Sequence, residues 1–451
     1  MPKYNFTLPN DSYYILLTLY NCALLLSIGA GGWEYPKVTA FIICMIGLQF
    51  LSRKFWFTTF LSCIPYYFIY APIFPRSTNH GNLQVFIGIL FVLFVILKFR
   101  KIKENRLDHK MIANIFIYSL ITIYFVSGFH KLNAGFFDLT SSCTNYVSSN
   151  FTSFLFGESY RLPPMAVRTS QILTILFEMV IPFGLLFHNT RRITTWLLIA
   201  FHFFMSLYGF SNFSAFAGFL ICGCIINFDH QKPYYQSIIR GLRYYIFFCI
   251  LSVLISFAVS RLGLFDKTHI RVYNGIIFNM GWLVFFAILL KKSTFIKEQQ
   301  SLKIIPIIFV IFIVMWGGQA YVGLSNAGNL TMFSNLLTEK SRSNHYLIDT
   351  KRTKIWSFEE DIVTIVDIAD SLKWENAEPL KSFQLPLIEF KTQADQWVRK
   401  HDRPIEIIIR YQDKLHHIPD LKLSEFSKVK WWYRYIQFRK LPKPGTNDCL
   451  W

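Results

Sequence analysis

Residues 304–324 read IIPIIFVIFIVMWGGQAYVGL, an apolar stretch without a charged side chain. About 20 residues in helical conformation cross the hydrocarbon core of a bilayer, so this stretch is long enough to span a membrane. Downstream of it the composition changes, because residues 326–451 contain 20 Lys and Arg against 17 Asp and Glu. We interpret residues 304–324 as the last membrane span and position 326 as the start of a tail domain.

The same apolar pattern recurs upstream. The chain is 53% hydrophobic and 16% charged, whereas a soluble domain carries about 25% charged residues. This composition excludes an ordinary cytosolic enzyme, and the high aromatic content excludes a disordered chain. Ten further runs have roughly spanning length: 13–31, 37–51, 56–74, 83–97, 111–129, 168–187, 193–210, 213–228, 244–260 and 272–290. The predicted fold class is a membrane all-α, polytopic bundle of about 9–11 transmembrane helices, covering residues 1–325, with a small C-terminal α/β extramembrane domain over residues 326–451.

Lysine and arginine indicate which side of the membrane each loop faces, because cytoplasmic loops carry an excess of both. They concentrate in alternate loops, which are 52–55, 98–110, 188–192, 229–243 and 291–303. The N-terminus is therefore predicted to be cytoplasmic, and the 130–167 loop and the tail are predicted to lie on the opposite side. The membrane is a bacterial inner membrane or the endoplasmic reticulum in this interpretation. The net charge of +19 then reflects topology, and no nucleic-acid partner is expected.

The tail has the pattern of a small α/β domain. Residues 361–370 (DIVTIVDIAD) and 405–411 (IEIIIRY) are rich in β-branched side chains and are predicted strands. Between them, residues 385–401 have the periodicity of an amphipathic helix. Residues 428–439 (KVKWWYRYIQFR) alternate well enough to predict a last strand.

Six of the eight cysteines fall within predicted spans, where cysteine usually behaves as a small apolar residue. Only Cys143 and Cys449 lie in predicted external segments, on a side that is oxidising in either candidate membrane. A Cys143–Cys449 disulfide is therefore one option for this pair. No cysteine or histidine spacing resembles a zinc site, and no metal is expected.

Ionisable side chains inside a membrane are costly and are functional candidates by default. Glu178 and His202 lie in consecutive predicted spans, each twelve residues from Thr190 in the basic turn between them. An antiparallel hairpin places them at one depth, roughly 18 Å from the turn. A carboxylate and an imidazole at one depth can satisfy each other, either as a buried hydrogen bond that fixes helix packing or beside a polar cavity.

Four further polar residues lie on the predicted external face. Lys131 and His130 end the span 111–129, and Asn79 and His80 precede the span 83–97. A terminal lysine commonly extends to the membrane interface, and an Asn-His pair alone reads as part of a loop. Topology nevertheless brings all four to one side, where they could share a site. The chain contains no nucleophile-elbow, phosphate-loop, dinucleotide-binding or zinc-protease motif.

Taken together, these residues resemble the HTTM family, which includes the vitamin K-dependent γ-glutamyl carboxylases. The resemblance covers about residues 75–350 and rests on the order and spacing of several short segments. These are Asn79-His80, Tyr124–Phe137 (YFVSGFHKLNAGFF), Glu178, Phe201-His202, Phe213-Ser214 and Thr331–Ile348. The chain departs from the carboxylases in its much shorter tail and in having histidine at the first basic position, His130.

The resemblance implies a site and a chemistry. It implies that Lys131 is the catalytic base with His130 beside it, and that Asn79, His80, Glu178 and His202 bind the cofactor. The implied cofactor is reduced vitamin K or menaquinone, with O2 and CO2 as co-substrates. The base must be an unprotonated amine, which an apolar setting favours, and excluding water protects the stronger base formed later. The implied partners are the lipid bilayer and a peptide or protein substrate on the extracytoplasmic side.

Three functions remain open from the sequence. The first is a quinol- and oxygen-using membrane enzyme with Lys131 as initial base, which carboxylates a peptide or protein or has lost that last step. The second is a non-catalytic maturation or accessory factor whose tail binds an exported peptide. The third is a proton-coupled transporter with Glu178 and His202 as a relay, although the chain has no inverted repeat or paired broken helices.

Overall fold

The computed structural model describes residues 11–30, 35–71, 73–74, 76, 78–100, 109–157, 160, 162–225, 234–263, 267–292, 304–339, 341–368, 383–401, 403–442 and 449. Its N-terminal part consists of α1 (Asp11–Gly29), α2 (Pro36–Leu51), α3 (Thr58–Tyr70), α4 (Asn79–Arg100), α5 (His109–His130), α6 (Ala134–Phe137), α7 (Cys143–Phe156), α8 (Pro164–Ile175), α9 (His188–Met205), α10 (Ser211–Ile225), α11 (Tyr234–Arg261), α12 (Lys267–Lys292) and α13 (Ile304–Val322).

Six helical stretches among the described residues are long and apolar enough to cross a membrane. They are Met111–His130, Pro164–Leu185, His188–Ile225, Tyr235–Arg261, Thr268–Lys292 and Ile304–Val322. Two shorter apolar helices cover Tyr13–Gly29 and Pro36–Leu51. A multi-pass, mainly helical membrane fold is therefore confirmed at this level.

Burial separates a central helix from the outer ones. Helix α1 is apolar all round, and its side chains from Tyr13 to Leu26 are buried. By contrast, α3 and α13 leave large apolar side chains exposed, such as Phe68 at 77% and Met315 at 70%. A helix that is hydrophobic on every face belongs in a core, whereas exposed apolar side chains on outer helices suit contact with lipid.

The stretch His188–Ile225 is a tight helical hairpin. Ser214 Oγ donates a 2.8 Å hydrogen bond to the carbonyl oxygen of His202, twelve residues earlier. Those atoms would lie about 18 Å apart along a straight helix, so α10 must fold back onto α9. The reversal occurs at Gly209, whose φ of 93° is costly for residues with a Cβ. The separate predicted spans 193–210 and 213–228 thus match two antiparallel helices.

The tail contains a five-stranded antiparallel sheet with strand order β4-β3-β1-β2-β5. Its elements are α14 (Thr350–Thr353), β1 (Ile362–Ile368), β2 (Phe383–Pro386), α15 (Leu387–Lys400), β3 (Ile407–Tyr411), β4 (Lys414–Ile418) and β5 (Leu441–Pro442). Phe390, Ala394 and Trp397 on one face of α15 pack with Val363 and Leu385 of the sheet. The two strands and the helix predicted at 361–370, 405–411 and 385–401 are therefore present.

One tail prediction is wrong, and one strand was not predicted. Residues 428–439 do not form a strand, because Trp431–Tyr435 is a 3₁₀ turn with both aromatic and basic side chains exposed. Strand β4 follows β3 through a two-residue turn in which Gln412 and Asp413 have φ of 50° and 60°. Such a turn usually carries Asn-Gly or Asp-Gly, and without that signal the hairpin is not visible in the sequence.

A buried cluster of charges joins the last span to the tail. Lys354 forms ion pairs with Glu359 and Glu360, and Arg439 lies 3.6 Å from Glu339. Glu359 also accepts a 2.6 Å hydrogen bond from Asn326, directly after the last predicted span. Burial, and then repulsion from Glu339, raise the pKa of Glu359 to about 7, although Lys354 opposes this rise.

We therefore expect the full chain to lose stability as the pH rises through about 7. The folded state holds the Glu359 proton more tightly than the unfolded state does, because the carboxyl pKa is higher in the folded protein. The resulting contribution to the free energy of unfolding is complete below about pH 4.5 and is lost above about pH 7. Its size is up to about 3 kcal/mol. Thermal unfolding in detergent between pH 5 and pH 8.5 measures it, and Glu359→Gln should flatten the profile. An equally steep decline in Glu359→Gln would assign the effect to other groups.

Candidate functional site

Lys131 lies immediately after the end of α5, and its side chain folds back along that helix. Its Nζ donates hydrogen bonds to Ser127 Oγ at 3.0 Å and to the Ser127 carbonyl oxygen at 3.3 Å, one turn earlier. The helix ends here because Asn133 caps the short helix α6, its Oδ1 accepting from the amide of Phe136. Lys131 is only 4% exposed, so it does not extend to the interface as an isolated terminal lysine would.

Glu178 is the acidic partner of Lys131. The distance from Lys131 Nζ to Glu178 Oε2 is 2.8 Å, and that to Oε1 is 3.1 Å. Two local features bring the carboxylate to α5. Gly128 leaves room for the neighbouring helix, since a Cβ there would lie 2.9 Å from Glu178 Cβ and 2.5 Å from Met179 Cγ. Glu178 also lies in a π turn, Leu176–Val180, a helix irregularity that is frequent at functional sites.

This ion pair lies on the wall of a largely apolar cavity of about 360 Å³, within the range of small-molecule sites. Helices α4, α5, α7, α8, α9 and α10 and the segment after α13 all contribute to it. Its aromatic walls include Tyr124, Phe136, Phe177, Phe201, Tyr208 and Phe213. Of the predicted site residues, the cavity brings together Asn79, His80, Lys131 and Glu178. It therefore combines a buried acid–base pair with space for an apolar ligand.

His80 contributes a polar side chain to the cavity wall. Its Nε2 lies 2.9 Å from the Asn212 side-chain nitrogen. Because an amide nitrogen only donates, Nε2 is the acceptor, and the proton of the neutral ring is on Nδ1. That Nδ1 is buried and has no hydrogen-bond partner among the described atoms. His80 therefore lines the cavity and carries a buried ring nitrogen that has no partner among the described atoms.

Asn79 has a positioning role in this structure. Its Oδ1 accepts a hydrogen bond from the amide of Leu330, in the segment that leaves the last span. Leu330, Phe333 and Asn335 in this segment have φ of 69°, 55° and 53°, a left-handed conformation that is costly for residues other than glycine. Since Leu330 and Phe333 line the cavity, Asn79 holds part of the wall in place.

His130 does not share the cavity with Lys131, which corrects the predicted grouping of the two. Its ring is fully buried and points to α13, where Nδ1 lies 2.9 Å from the hydroxyl of Tyr321. Consecutive residues of a helix project about 100° apart around its axis, so His130 and Lys131 cannot both face α8. The structure therefore places His130 in helix packing, next to the acid–base pair and not within the cavity.

The predicted partnership of Glu178 with His202 is also wrong. The hairpin itself is present, since the rings of Phe177 and Phe201 stack with centroids 5.1 Å apart. However, His202 Nε2 hydrogen-bonds the hydroxyl of Tyr124, while Glu178 contacts Lys131. His202 is fully buried and is absent from the cavity lining. His202 therefore supports the cavity wall through Tyr124. A proton relay between Glu178 and His202 would lack a direct contact between the two side chains.

Connections outside the six membrane-length helices hold this region together. A disulfide joins Cys143, the first residue of α7, to Cys449 near the end of the chain. The Asn335 side chain links the segment after α13 to the start of α7, accepting from the amide of Cys143 and donating to the carbonyl of Ser141. The Cys143–Cys449 pairing, left as an option by the sequence, is thus the one in the structure.

Ser127, Tyr124 and Asn212 are site residues that the sequence reasoning missed. Ser127 precedes Lys131 by four residues, a spacing that puts both on one helix face, and this signal was available. Asn212 contacts His80, which lines the cavity, and Tyr124 lines the cavity and contacts the buried His202. No local pattern marks either residue, because each contact joins helices that are distant in sequence.

Comparison with known proteins does not assign this chain to a family. The resemblance to the HTTM family therefore remains a prediction that rests on the short segments quoted above. No protein-family model matches the chain, and no curated protein or solved structure matches it.

Proposed function

We propose that this protein is a membrane enzyme that uses a reduced quinone and O2, with Lys131 as the initial base. The observation that carries the proposal is the Lys131–Glu178 pair on the wall of an apolar cavity, with Nζ and Oε2 2.8 Å apart. Buried ionisable groups that line a cavity are functional candidates. The proposal further assigns a peptide or protein as the substrate to be modified, with CO2 as a possible co-substrate.

The cavity lining fits a reduced vitamin K or menaquinone. Phe177, Phe201 and Phe213 can contact an apolar ring. We assign the unpartnered Nδ1 of His80 as the donor to a ring oxygen, which requires the imidazole to turn toward the cavity. Asn79 would act indirectly, through the wall segment at Leu330. When bound, such a reductant supplies electrons to O2. The chain's own contribution is to bind and orient the ring, exclude water and accept a proton at Lys131 Nζ.

The ion pair offers a route to an unprotonated amine. Burying two charges in apolar surroundings is costly, so transfer of one proton from Lys131 to Glu178 removes both charges at once. Ser127 Oγ remains 3.0 Å from Nζ and can hold the neutral amine in position. Lys131 is then able to accept a hydroxyl proton from a ligand in the cavity, which is general-base catalysis.

An opening in the cavity wall supports entry of the reductant from the bilayer. Leu173 on α8 and Ala200 and Phe204 on α9 line the cavity and are also exposed on the outside of the bundle. A lipid-soluble molecule can therefore pass between α8 and α9 without crossing water. This route would keep a long apolar tail in the membrane while the ring is in the cavity.

Ala200→Trp is expected to narrow this opening and to lower kcat/KM for a long-chain quinol roughly tenfold, because the indole occupies the passage. Ile172→Trp is the matched control, since Ile172 is 50% exposed on α8 but does not line the cavity. Oxygen consumption by both variants in the same lipid measures the effect. An equal loss in the two variants, or none in Ala200→Trp, would argue against entry at this place.

The proposal retains the predicted topology of about 9–11 spans with a cytoplasmic N-terminus. The cavity, the Cys143–Cys449 disulfide and the tail then share the extracytoplasmic side, where an exported peptide would be modified. The direct test is whether the purified full chain, given reduced menaquinone or vitamin K, consumes oxygen and forms the epoxide. Absence of both reactions with either quinol would contradict the proposed function.

A further inference from the structure

A second concave surface lies between the tail and the membrane bundle, away from the cavity at Lys131. This groove, of about 990 Å³, runs between α15, the 3₁₀ turn Trp431–Tyr435 and the connection after α3. Its lining contains six basic residues against two acidic ones, Glu389 and Asp395. The basic residues are Arg76, Arg399, Lys400, Lys430, Arg434 and Lys440. The groove is therefore strongly cationic.

Part of this charge is compensated and part is not. Arg76 forms an ion pair with Glu389, and Arg399 pairs with Asp395 at 2.9 Å. Lys430 and Arg434 are exposed and have no carboxylate partner among the described residues. Lys430 lies over the ring of Trp432. Arg434 lies over the ring of Tyr435 and donates a 2.7 Å hydrogen bond to its hydroxyl. An anionic ligand would find both cations available.

The groove also lies where the exposed apolar face of α3 ends. Leu61, Ile64 and Phe68 are exposed and share one helix face. Helical hydrogen bonds continue beyond α3 to Phe74, so Ile73, which is 42% exposed and lines the groove, is about 8 Å further along the axis than Phe68. The cationic groove thus begins one to two helical turns beyond the exposed apolar face of α3.

Exposed aromatic residues support the same location. Trp431 is 75% exposed and Tyr435 is 46% exposed, and both belong to the turn at the groove. Trp and Tyr are enriched at membrane–water interfaces, where the ring contacts lipid and the polar end contacts water. An acidic peptide would match the charge of the groove, but it would not account for an exposed indole beside the end of a lipid-facing stripe.

We propose that this groove binds the headgroup of an anionic phospholipid from the leaflet on the tail side of the membrane. The phosphate contacts Lys430 and Arg434, while the acyl chains follow the exposed face of α3. Such binding fixes the tail against the bilayer surface. The lipid is a site-bound ligand in this view, and the inference does not depend on the chemistry proposed for the cavity.

The test is a binding titration on the full chain in an uncharged detergent with short-chain phosphatidylglycerol, phosphatidylcholine, glycerol phosphate and a hexaglutamate peptide. Phosphatidylglycerol is expected to bind at least about tenfold more tightly than phosphatidylcholine, with a loss of affinity in high salt. The double variant Lys430→Gln/Arg434→Gln should weaken phosphatidylglycerol binding roughly tenfold. Arg410→Gln/Lys414→Gln is the matched control, since these exposed residues on β3 and β4 lie outside the groove.

Equal binding of the two phospholipids, or unchanged affinity in the groove variant, would overturn the proposal. Tighter binding of glycerol phosphate or hexaglutamate than of phosphatidylglycerol would also overturn it, by assigning the groove to a free phosphate or an acidic peptide. If the double variant unfolds at a lower temperature than the control, the single variant Lys430→Gln replaces it, with an expected loss of about fivefold.

Discussion

Replacing Lys131 by methionine is expected to lower quinol-dependent oxygen consumption by at least about 100-fold. Methionine retains an unbranched chain of similar length, so it can fill the space along α5 while removing the amine. The loss should appear in kcat, because the missing group accepts a proton and is not needed for ring contact with Phe177 or Phe213. Oxygen uptake by purified protein supplied with reduced menaquinone measures it.

Lys351→Met is the matched control for this experiment, because Lys351 is exposed in α14 and lies outside the cavity. It should retain full activity. If Lys131→Met also retained full activity, Lys131 would not be the base. An accessory role, in which deletion of the tail and not of Lys131 removes function, would then be favoured. Equal loss of activity in both variants would indicate a general effect on the protein.

The depth of polar residues in this bundle could be predicted from the sequence, but their partners could not. Counting residues from the turn at Thr190 places Glu178 and His202 at one level, and the stacked rings of Phe177 and Phe201 agree with it. Which side chain each one meets depends on how the helices are rotated and how closely they approach. Gly128 allows the segment that contains Glu178 to pack closely against α5. A single sequence does not reveal which helix will lie over a glycine.

The tail illustrates a related limit. Strands β1 and β3 and helix α15 carry their own periodic patterns and were predicted. The segment 428–439 alternates as well, but its aromatic and basic side chains are exposed around a 3₁₀ turn. Alternation predicts a strand only where one face is buried, and here Trp431 and Arg434 lie in the groove. The segment 428–439, for which the strand prediction is wrong, therefore contributes to the groove that is a candidate binding surface.

The Lys131–Glu178 pair allows its structural and chemical roles to be separated by a double-mutant cycle. Lys131→Met leaves the Glu178 carboxyl group without its cation, and Glu178→Gln leaves the ammonium without its carboxylate. Removing one partner of a buried ion pair typically costs about 3–5 kcal/mol, and each single variant should therefore unfold at a clearly lower temperature. The double variant Lys131→Met/Glu178→Gln buries no charge at this position and should recover most of the lost stability.

Activity is expected to follow a different pattern, because stability depends on charge balance whereas catalysis needs the amine. The double variant should remain as inactive as Lys131→Met, at least about 100-fold below the unmodified protein, even though it is nearly as stable. Thermal unfolding and oxygen uptake on the same four preparations provide both readouts. Additive losses of stability would show that the two residues do not interact. Recovery of activity together with stability in the double variant would show that the pair only holds α5 and the π turn Leu176–Val180 together, since a protein without the amine would then still perform the reaction.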